Sequence, residues 1–188
     1  MAAEATLRSL RDRPFELLRE LDRRARAAAQ GQPEAAATGA EWVGIAFRLG
    51  GEAFLLAREE TREVMGYPAA VTRVPGARDW IRGLANVRGQ LLPLVDLRSF
   101  LGSGNSGVAR TARVLVANHR EIPAGLLVDE VMGFRRFFES EFSADLPPTL
   151  LRCERYLAGA FKRGAEVWPV FSVRTLLESP QFLQAAAS

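Results

Sequence analysis

A glycine-rich stretch is the first place in this chain where residue types and spacing could support chemistry. Residues Gly102–Gly107 read Gly-Ser-Gly-Asn-Ser-Gly and match the pattern G-x-G-x-x-G. That pattern binds dinucleotide phosphates when it follows a strand and opens a helix, because the first helical amides then meet the pyrophosphate. Here it follows a predicted helix and precedes a predicted strand. We therefore interpret it as a flexible surface loop.

Two single side chains are the other candidates for chemistry. His119 is the only histidine, and its surroundings, Asn-His-Arg-Glu-Ile, predict a solvated turn and no metal site. Cys153 is the only cysteine, and the nearby charges of Arg152 and Arg155 would lower the pKa of its thiol. No base can be placed beside that thiol, and the sequence has no nucleophile elbow, H-E-x-x-H pair or P-loop. We expect no catalytic residue, metal or cofactor, and keep an enzyme that uses Cys153 as an alternative.

The most informative stretch is residues 83–97, Gly-Leu-Ala-Asn-Val-Arg-Gly-Gln-Leu-Leu-Pro-Leu-Val-Asp-Leu. Two short apolar runs flank Arg-Gly-Gln, which predicts a tight β-hairpin with Gly89 at a positive φ. Asn86 and Gly89 are interpreted as residues that shape the backbone. Asp96 is interpreted as the cap of a short helix over Leu97–Leu101, which Gly102 ends.

Arg88, at the tip of this hairpin, is the best candidate for a binding residue. A guanidinium in a tight turn presents several donors in a fixed fork, which suits recognition of carboxylates and carbonyls on a partner. The structural alternative is that Arg88 ties its own loop to Glu63 or to Asp96. Both interpretations remain open from the sequence.

The elements that must position these residues are mainly short strands separated by turn signals, which indicates an antiparallel barrel or a pair of barrels. Long helices between the strands are missing, which argues against a parallel βαβ sheet. We predict a turn or short helix at Arg58–Met65 and closing helices at Val173–Leu177 and Phe182–Ala187. The predicted strands are Val43–Leu49, Ala53–Leu56, Thr72–Val74, Trp80–Val87, Leu91–Val95, Val114–Asn118, Pro123–Val128, Val131–Arg135, Leu157–Phe161 and Val167–Phe171.

Length and spacing predict four segments in the 188 residues. Residues 1–29 are interpreted as a helical extension with an apolar stripe, residues 30–40 as a linker, residues 41–178 as the folded domain, and residues 179–188 as a tail or short helix. The charged N-terminus and the lack of a long apolar run indicate neither secretion nor membrane insertion, and the lone cysteine fits a reducing cytoplasm.

The net charge of +3 leaves a nucleic-acid-binding β-barrel as an alternative, with Trp42, Phe54 or Phe137 as stacking platforms. The basic residues are spread along the chain and interleaved with acidic residues, whereas a nucleic-acid surface more often shows a clustered stripe. We therefore expect no nucleic-acid partner.

The order Asn86, Arg88, Gly89, Pro93, Asp96, Leu97 resembles the signature of the CheW-like family, the coupling proteins of bacterial chemosensory arrays. Further similar segments are Phe47-Arg-Leu-Gly-Gly-Glu-Ala-Phe, Arg62-Glu-Val, Gly125-Leu-Leu-Val-Asp-Glu-Val and Tyr156-Leu-Ala-Gly-Ala. The resemblance runs from about Trp42 to about Leu177. It implies two SH3-like five-stranded β-barrels side by side, with a groove between them.

The resemblance also implies partners and contact residues. The groove would take the tip of a methyl-accepting chemoreceptor, and the barrel ends would contact the regulatory domain of a CheA-type histidine kinase, in the cytoplasm at receptor arrays. Glu63 and Arg88 would lie near the contacts, and Val128 and Val131 would line the groove as apolar anchors. Asn86 and Val87 complete the set of predicted interaction residues.

One position departs from the family pattern, because Ser172 stands where an acidic residue is expected after the last strand. The N-terminal Pro14-Phe-Glu-Leu-Leu, Trp42-x-Gly-Ile-x-Phe and Leu146-Pro-Pro resemble family members that serve type IV pilus (twitching) systems. We predict an adaptor of such a pathway, with a flagellar-type adaptor as the alternative.

Overall fold

The computed structural model describes residues 40–185, which form strands with a few short helices. The helices are α1 (Leu97–Phe100), α2 (Val173–Leu177) and α3 (Pro180–Leu183), and three single 3₁₀ turns cover Arg58–Glu60, Glu139–Glu141 and Glu154–Tyr156. The strands are β1 (Glu41–Leu49), β2 (Glu52–Ala57), β3 (Thr61–Gly66), β4 (Ile81–Val87), β5 (Gln90–Asp96), β6 (Arg113–Ala117), β7 (Gly125–Val128), β8 (Glu130–Phe138), β9 (Phe142–Ser143), β10 (Leu157–Arg163) and β11 (Glu166–Phe171).

The strands form two sheets, and one of them takes its strands from two separate stretches of the chain. The six-stranded sheet has the order β8-β1-β2-β11-β10-β9, and the five-stranded sheet has the order β3-β6-β7-β5-β4. The pairs β2–β11 and β5–β7 are parallel, and the other paired strands are antiparallel. Along the chain, all the strands of the five-stranded sheet therefore come after β2 and before β8, which both belong to the six-stranded sheet.

Two very short crossovers connect the sheets. The 3₁₀ turn Arg58–Glu60 joins β2 to β3, and the single residue Asp129 joins β7 to β8. The second crossover is anchored, because the Asp129 amide donates to the Arg48 carbonyl at 3.1 Å and the Asp129 carboxylate accepts from the Gly50 amide at 2.7 Å.

The apolar side chains form three clusters. One lies inside the five-stranded sheet around Leu94 and Val114, and one lies inside the six-stranded sheet around Phe137 and Phe161. The largest, which we call the shared core, takes side chains from both sheets and from the helices; Phe54 is among them. Burial of these aliphatic and aromatic side chains between the sheets is the main contribution to the stability of the fold.

The mainly β fold with two subdomains is confirmed, and the six-stranded sheet contains the two-residue strand β9 beyond the five strands predicted for each barrel. The alternating segments of the sequence and the Gly50-Gly51 turn are strands and a hairpin, as predicted. Asp96 caps α1, since its Oδ1 accepts from the Ser99 amide at 3.2 Å.

Three local predictions are corrected. Residues 58–65 are not one turn or helix. Only Arg58–Glu60 is helical, and Thr61–Gly66 is a strand whose residues alternate between partly buried and exposed. Thr72 forms an isolated bridge to Leu84 instead of a strand. The last helix is Pro180–Leu183, because Ser179 caps it and Pro180 occupies its first position.

The predicted helical extension at 1–29 lies outside the described residues, as does the linker at 30–40 except for Ala40. Within residues 40–185, no helix is long and apolar enough to span a membrane.

Candidate functional site

A groove of about 680 Å³ separates the two sheets, and we call it the inter-sheet groove. One wall comes from β1 and β8, the other from β3 and the residue after β6, and the first crossover closes one end. It combines apolar side chains with charged ones, which is the composition of a protein interface. The lining residues are Ile45, Arg58, Glu59, Thr61, Arg62, Glu63, Val64, Asn118, Val131, Gly133 and Phe134.

Phe134 is the most prominent apolar group of the groove, with 61% of its surface exposed. It follows Gly133, whose φ is +93°, and the β1–β8 register shifts just before this point, between Ala46 and Phe47. Such a bulge re-aims the side chains of a strand. We did not predict Phe134 from the sequence; the glycine inside an otherwise continuous strand was the available signal.

Of the two predicted apolar anchors, Val131 lines the groove and Val128 does not. Val131 lines it and is half-buried. Val128 has no exposed surface, because β7 is the middle strand of its sheet and the side chain packs in the shared core. Val87 is also buried, in the cluster inside the five-stranded sheet. The prediction that Val128 lines the groove is therefore wrong, and Val87 presents little surface to a partner.

The predicted tight β4–β5 hairpin is present, and its turn consists of two residues, since Val87 pairs with Gln90. Arg88 and Gly89 both have positive φ, +52° and +82°, as a type I′ turn requires. The Asn86 side-chain oxygen accepts a hydrogen bond from the Gly89 amide at 2.9 Å, which holds the turn in this shape. Asn86 and Gly89 thus shape the backbone, as the sequence indicated.

Arg88 is brought to Glu63 across the sheet. Its Nη1 lies 3.1 Å from Glu63 Oε2, and the Arg88 side chain is 81% exposed while that of Glu63 is 22% exposed. Of the two structural partners left open for Arg88, the structure selects Glu63. Because Glu63 also lines the inter-sheet groove, this pair joins the hairpin tip to the groove wall.

Asp96 has another partner, which the sequence did not reveal. Its carboxylate is fully buried, and Oδ2 lies 2.5 Å from Arg82 Nη2 and accepts from the Ser106 amide at 2.8 Å. The Arg82 guanidinium also donates to the Ser106 carbonyl. The predicted flexible loop at Gly102–Gly107 is therefore anchored at Ser106, whose surface is almost completely buried.

The six-stranded sheet repeats this arrangement with a different acid. Ser172 precedes α2 as Asp96 precedes α1, and its hydroxyl accepts from the Thr175 amide at 3.2 Å. The carboxylate comes from Glu60 in the first crossover: its Oε2 accepts from the Val173 amide at 2.6 Å, and its Oε1 accepts from the Ser172 hydroxyl at 3.3 Å. Glu60 thus supplies the acidic group that the family pattern predicts at position 172.

This arrangement predicts that Ser172→Asp is destabilising in this chain. A second carboxylate beside Glu60 introduces like-charge repulsion, and we expect it to lower the free energy of unfolding by roughly 1–3 kcal/mol. The measurement is urea unfolding of the full chain. In a Glu60→Gln background the same substitution should cost less than about 1 kcal/mol; an equal cost in both backgrounds would show that the two positions are not coupled.

The remaining candidates have structural roles or are buried. Burial raises the pKa of the Cys153 thiol, opposite to the direction predicted from Arg152 and Arg155. His119 lies in the predicted turn, but its side chain is only 17% exposed and its Nδ1 accepts from the Ile122 amide at 3.1 Å.

Two of the aromatic residues considered for nucleic-acid stacking are inaccessible. Phe54 and Phe137 are almost completely buried, in the shared core and in the six-stranded sheet respectively. A base can stack only on an exposed ring face. The burial of Phe54 and Phe137 therefore excludes them as stacking platforms for bases.

Fold and sequence together define the class of this protein: residues 43–181 match the model of the CheW-like domain, and the chain belongs to that family. It is 41% identical over 173 residues to the protein PilI of Pseudomonas aeruginosa, covering 92% of this chain and 96% of that protein. It is 28% identical to the chemotaxis protein CheW of Bacillus subtilis over 53% of this chain and 64% of that protein.

A solved structure supports the fold. The scaffolding protein TtCheW of Thermoanaerobacter tengcongensis superimposes with a TM-score of 0.66 at 23% identity, covering 76% of this chain and 96% of that one.

Proposed function

We propose that this protein is a non-enzymatic adaptor that joins the tip of a methyl-accepting chemoreceptor to the regulatory domain of a CheA-type histidine kinase. Its family membership supports the adaptor role, and its 41% sequence identity to PilI of Pseudomonas aeruginosa supports a place in a type IV pilus pathway. The protein would act where receptor tips gather in arrays, without inserting into the membrane itself.

The inter-sheet groove is the observation that carries this proposal. An amphipathic helix or helical hairpin binds by placing apolar side chains into a groove whose rim is polar. Phe134 and Val131 offer apolar contact on one wall, and Arg62 and Glu63 offer charges on the other. A receptor tip therefore finds both apolar anchors and charge partners in one place.

The hairpin tip provides the second face. Arg88 projects from the turn and reaches the groove wall through Glu63, so one ion pair lies where both partners could meet. Two modest interfaces on one body raise the effective concentration of each partner for the other, and this is how an adaptor couples without chemistry. We assign Asn86 the role of shaping this tip.

Phe134→Glu tests the receptor part of the proposal. An exposed aromatic at the centre of an interface contributes about 2 kcal/mol, so we expect roughly 30-fold weaker binding of a receptor-tip fragment. Binding is measured by calorimetry with the full chain, and unfolding is measured beside it. Because the ring is mostly exposed, the free energy of unfolding should change by less than about 0.5 kcal/mol.

Val167→Glu is the matched control, since Val167 is also an exposed apolar residue but lies on β11 outside the groove. It should leave receptor binding unchanged. Equal binding by Phe134→Glu and the native chain would exclude the groove as the receptor site.

A further inference from the structure

A second cavity, of about 440 Å³, opens at one end of the six-stranded sheet, and we call it the Trp42 cavity. None of its lining residues lines the inter-sheet groove. Its volume falls within the range of small-molecule sites, which are concave, mostly apolar and equipped with a few polar groups. The lining residues are Trp42, Ala57, Glu60, Glu139, Phe142, Ala158, Phe161, Val170, Phe171 and Ser172.

The aromatic walls of the cavity are fixed in place. The centroid of the Trp42 ring lies 4.6 Å from that of Phe161. The Phe142 ring packs against Phe161 edge to face, with the ring centroids 5.3 Å apart. Gly44 makes room for the indole, because a Cβ at that position would lie 2.2 Å from a Trp42 ring carbon. The glycine two residues after Trp42 therefore leaves the space that the indole ring occupies.

The cavity has one sign of charge. Its ten lining residues include two glutamates and no arginine or lysine. The Glu60 carboxylate is held by the Val173 amide and the Ser172 hydroxyl, while Glu139 lies exposed at the mouth.

A basic side chain lies nearby without entering the cavity. The Arg163 guanidinium packs over the Phe137 ring, 4.5 Å from its centroid, and donates to Glu141 at 2.7 and 2.9 Å. These hydrogen bonds hold the pKa of Glu141 below its usual value, so that pair is internally neutralised. The charge presented by the cavity is thus negative.

We propose that the Trp42 cavity binds a small amphiphilic cation, with an aromatic or branched apolar body and a primary ammonium or guanidinium head. The body would fill the space beside Phe161 and Phe171. The head would gain attraction from the Trp42 ring face and from the two carboxylates. An anion of the same shape would be repelled, and a neutral molecule would gain only the apolar contacts.

Three probes of similar shape test this assignment: 2-phenylethylamine, 2-phenylethanol and phenylacetate. Each is titrated into the 188-residue chain while the three indole N–H signals are followed by NMR. We expect the amine to shift Trp42 and to bind at least ten-fold more tightly than the alcohol, with phenylacetate binding least. The Trp80 indole, buried in the shared core, serves as the internal reference.

Glu139→Gln is the informative variant, because Glu139 is exposed and its replacement should not affect folding. It should reduce the affinity for the amine towards that for the alcohol. Glu121→Gln, an exposed acid outside the cavity, should leave the preference unchanged. Equal affinities for amine and alcohol, or an amine preference that Glu139→Gln does not reduce, would overturn the proposal. These outcomes leave the receptor and kinase test untouched, since the two sites share no residue.

Discussion

Replacing Asp96 by alanine is expected to lower the free energy of unfolding by roughly 3–5 kcal/mol, the largest stability effect we predict for any single position. The carboxylate is fully buried and binds Arg82 and the Ser106 and Ser99 amides. Its removal leaves the half-buried Arg82 guanidinium without its carboxylate, removes one of the two hydrogen bonds that hold Ser106, and removes the cap of α1. The measurement is denaturant unfolding of the full chain.

The unpaired Arg82 charge should account for much of the loss in stability. This can be tested by making Asp96→Ala in a chain that lacks the Arg82 guanidinium. In Arg82→Met the guanidinium is gone, so Asp96→Ala should cost at least 1 kcal/mol less than in the native chain. Asp96→Asn should lie between the native chain and alanine, because an amide oxygen still accepts a backbone hydrogen bond. If Asp96→Ala costs the same with and without Arg82, the ion pair is not the source of the stability.

Arg88→Ala is expected to abolish or strongly reduce receptor-dependent control of the kinase while the domain stays folded. The side chain is mostly exposed and its ion pair with Glu63 is a surface pair, which contributes at most about 1 kcal/mol to stability. The loss would therefore come from partner contacts. The measurement is kinase activity in reconstituted receptor, adaptor and kinase mixtures, with unfolding recorded for the same sample.

Two further variants test whether the effect of Arg88 depends on the planar shape of its guanidinium, on its charge, or only on the total surface charge of the protein. Arg88→Lys keeps the charge without the planar fork, and should restore only part of the control. Arg73→Ala removes another exposed arginine and should behave like the native chain. Normal coupling by Arg88→Ala, or an equal loss in Arg73→Ala, would contradict a specific role for Arg88.

Local features were predictable from the sequence because they depend on neighbouring residues. The positive φ of Gly89 follows from its residue type, because glycine adopts this conformation without strain, whereas nothing in the sequence indicated the positive φ of Arg88. The cap at Asp96 is set by a side chain and amides within three residues. Family resemblance, not periodicity, supplied the pairing of two subdomains.

Long-range features were not predictable in the same way. The family resemblance places Val128 in the groove, but period-two alternation does not say which face of a strand is covered, and here the shared core covers Val128. The Glu60–Ser172 contact joins residues 112 positions apart, and only the folded chain brings them together. Phe134 was missed because its exposure results from a bulge in the pairing with β1.

The two crossovers have a mechanical consequence for signalling. Three residues join the walls of the groove at one connection and a single residue, Asp129, joins the sheets at the other, while apolar side chains from both sheets interlock behind them. Close-packed protein interiors do not deform gradually. We therefore expect a force on either wall to move both sheets of residues 40–185 together instead of widening the groove.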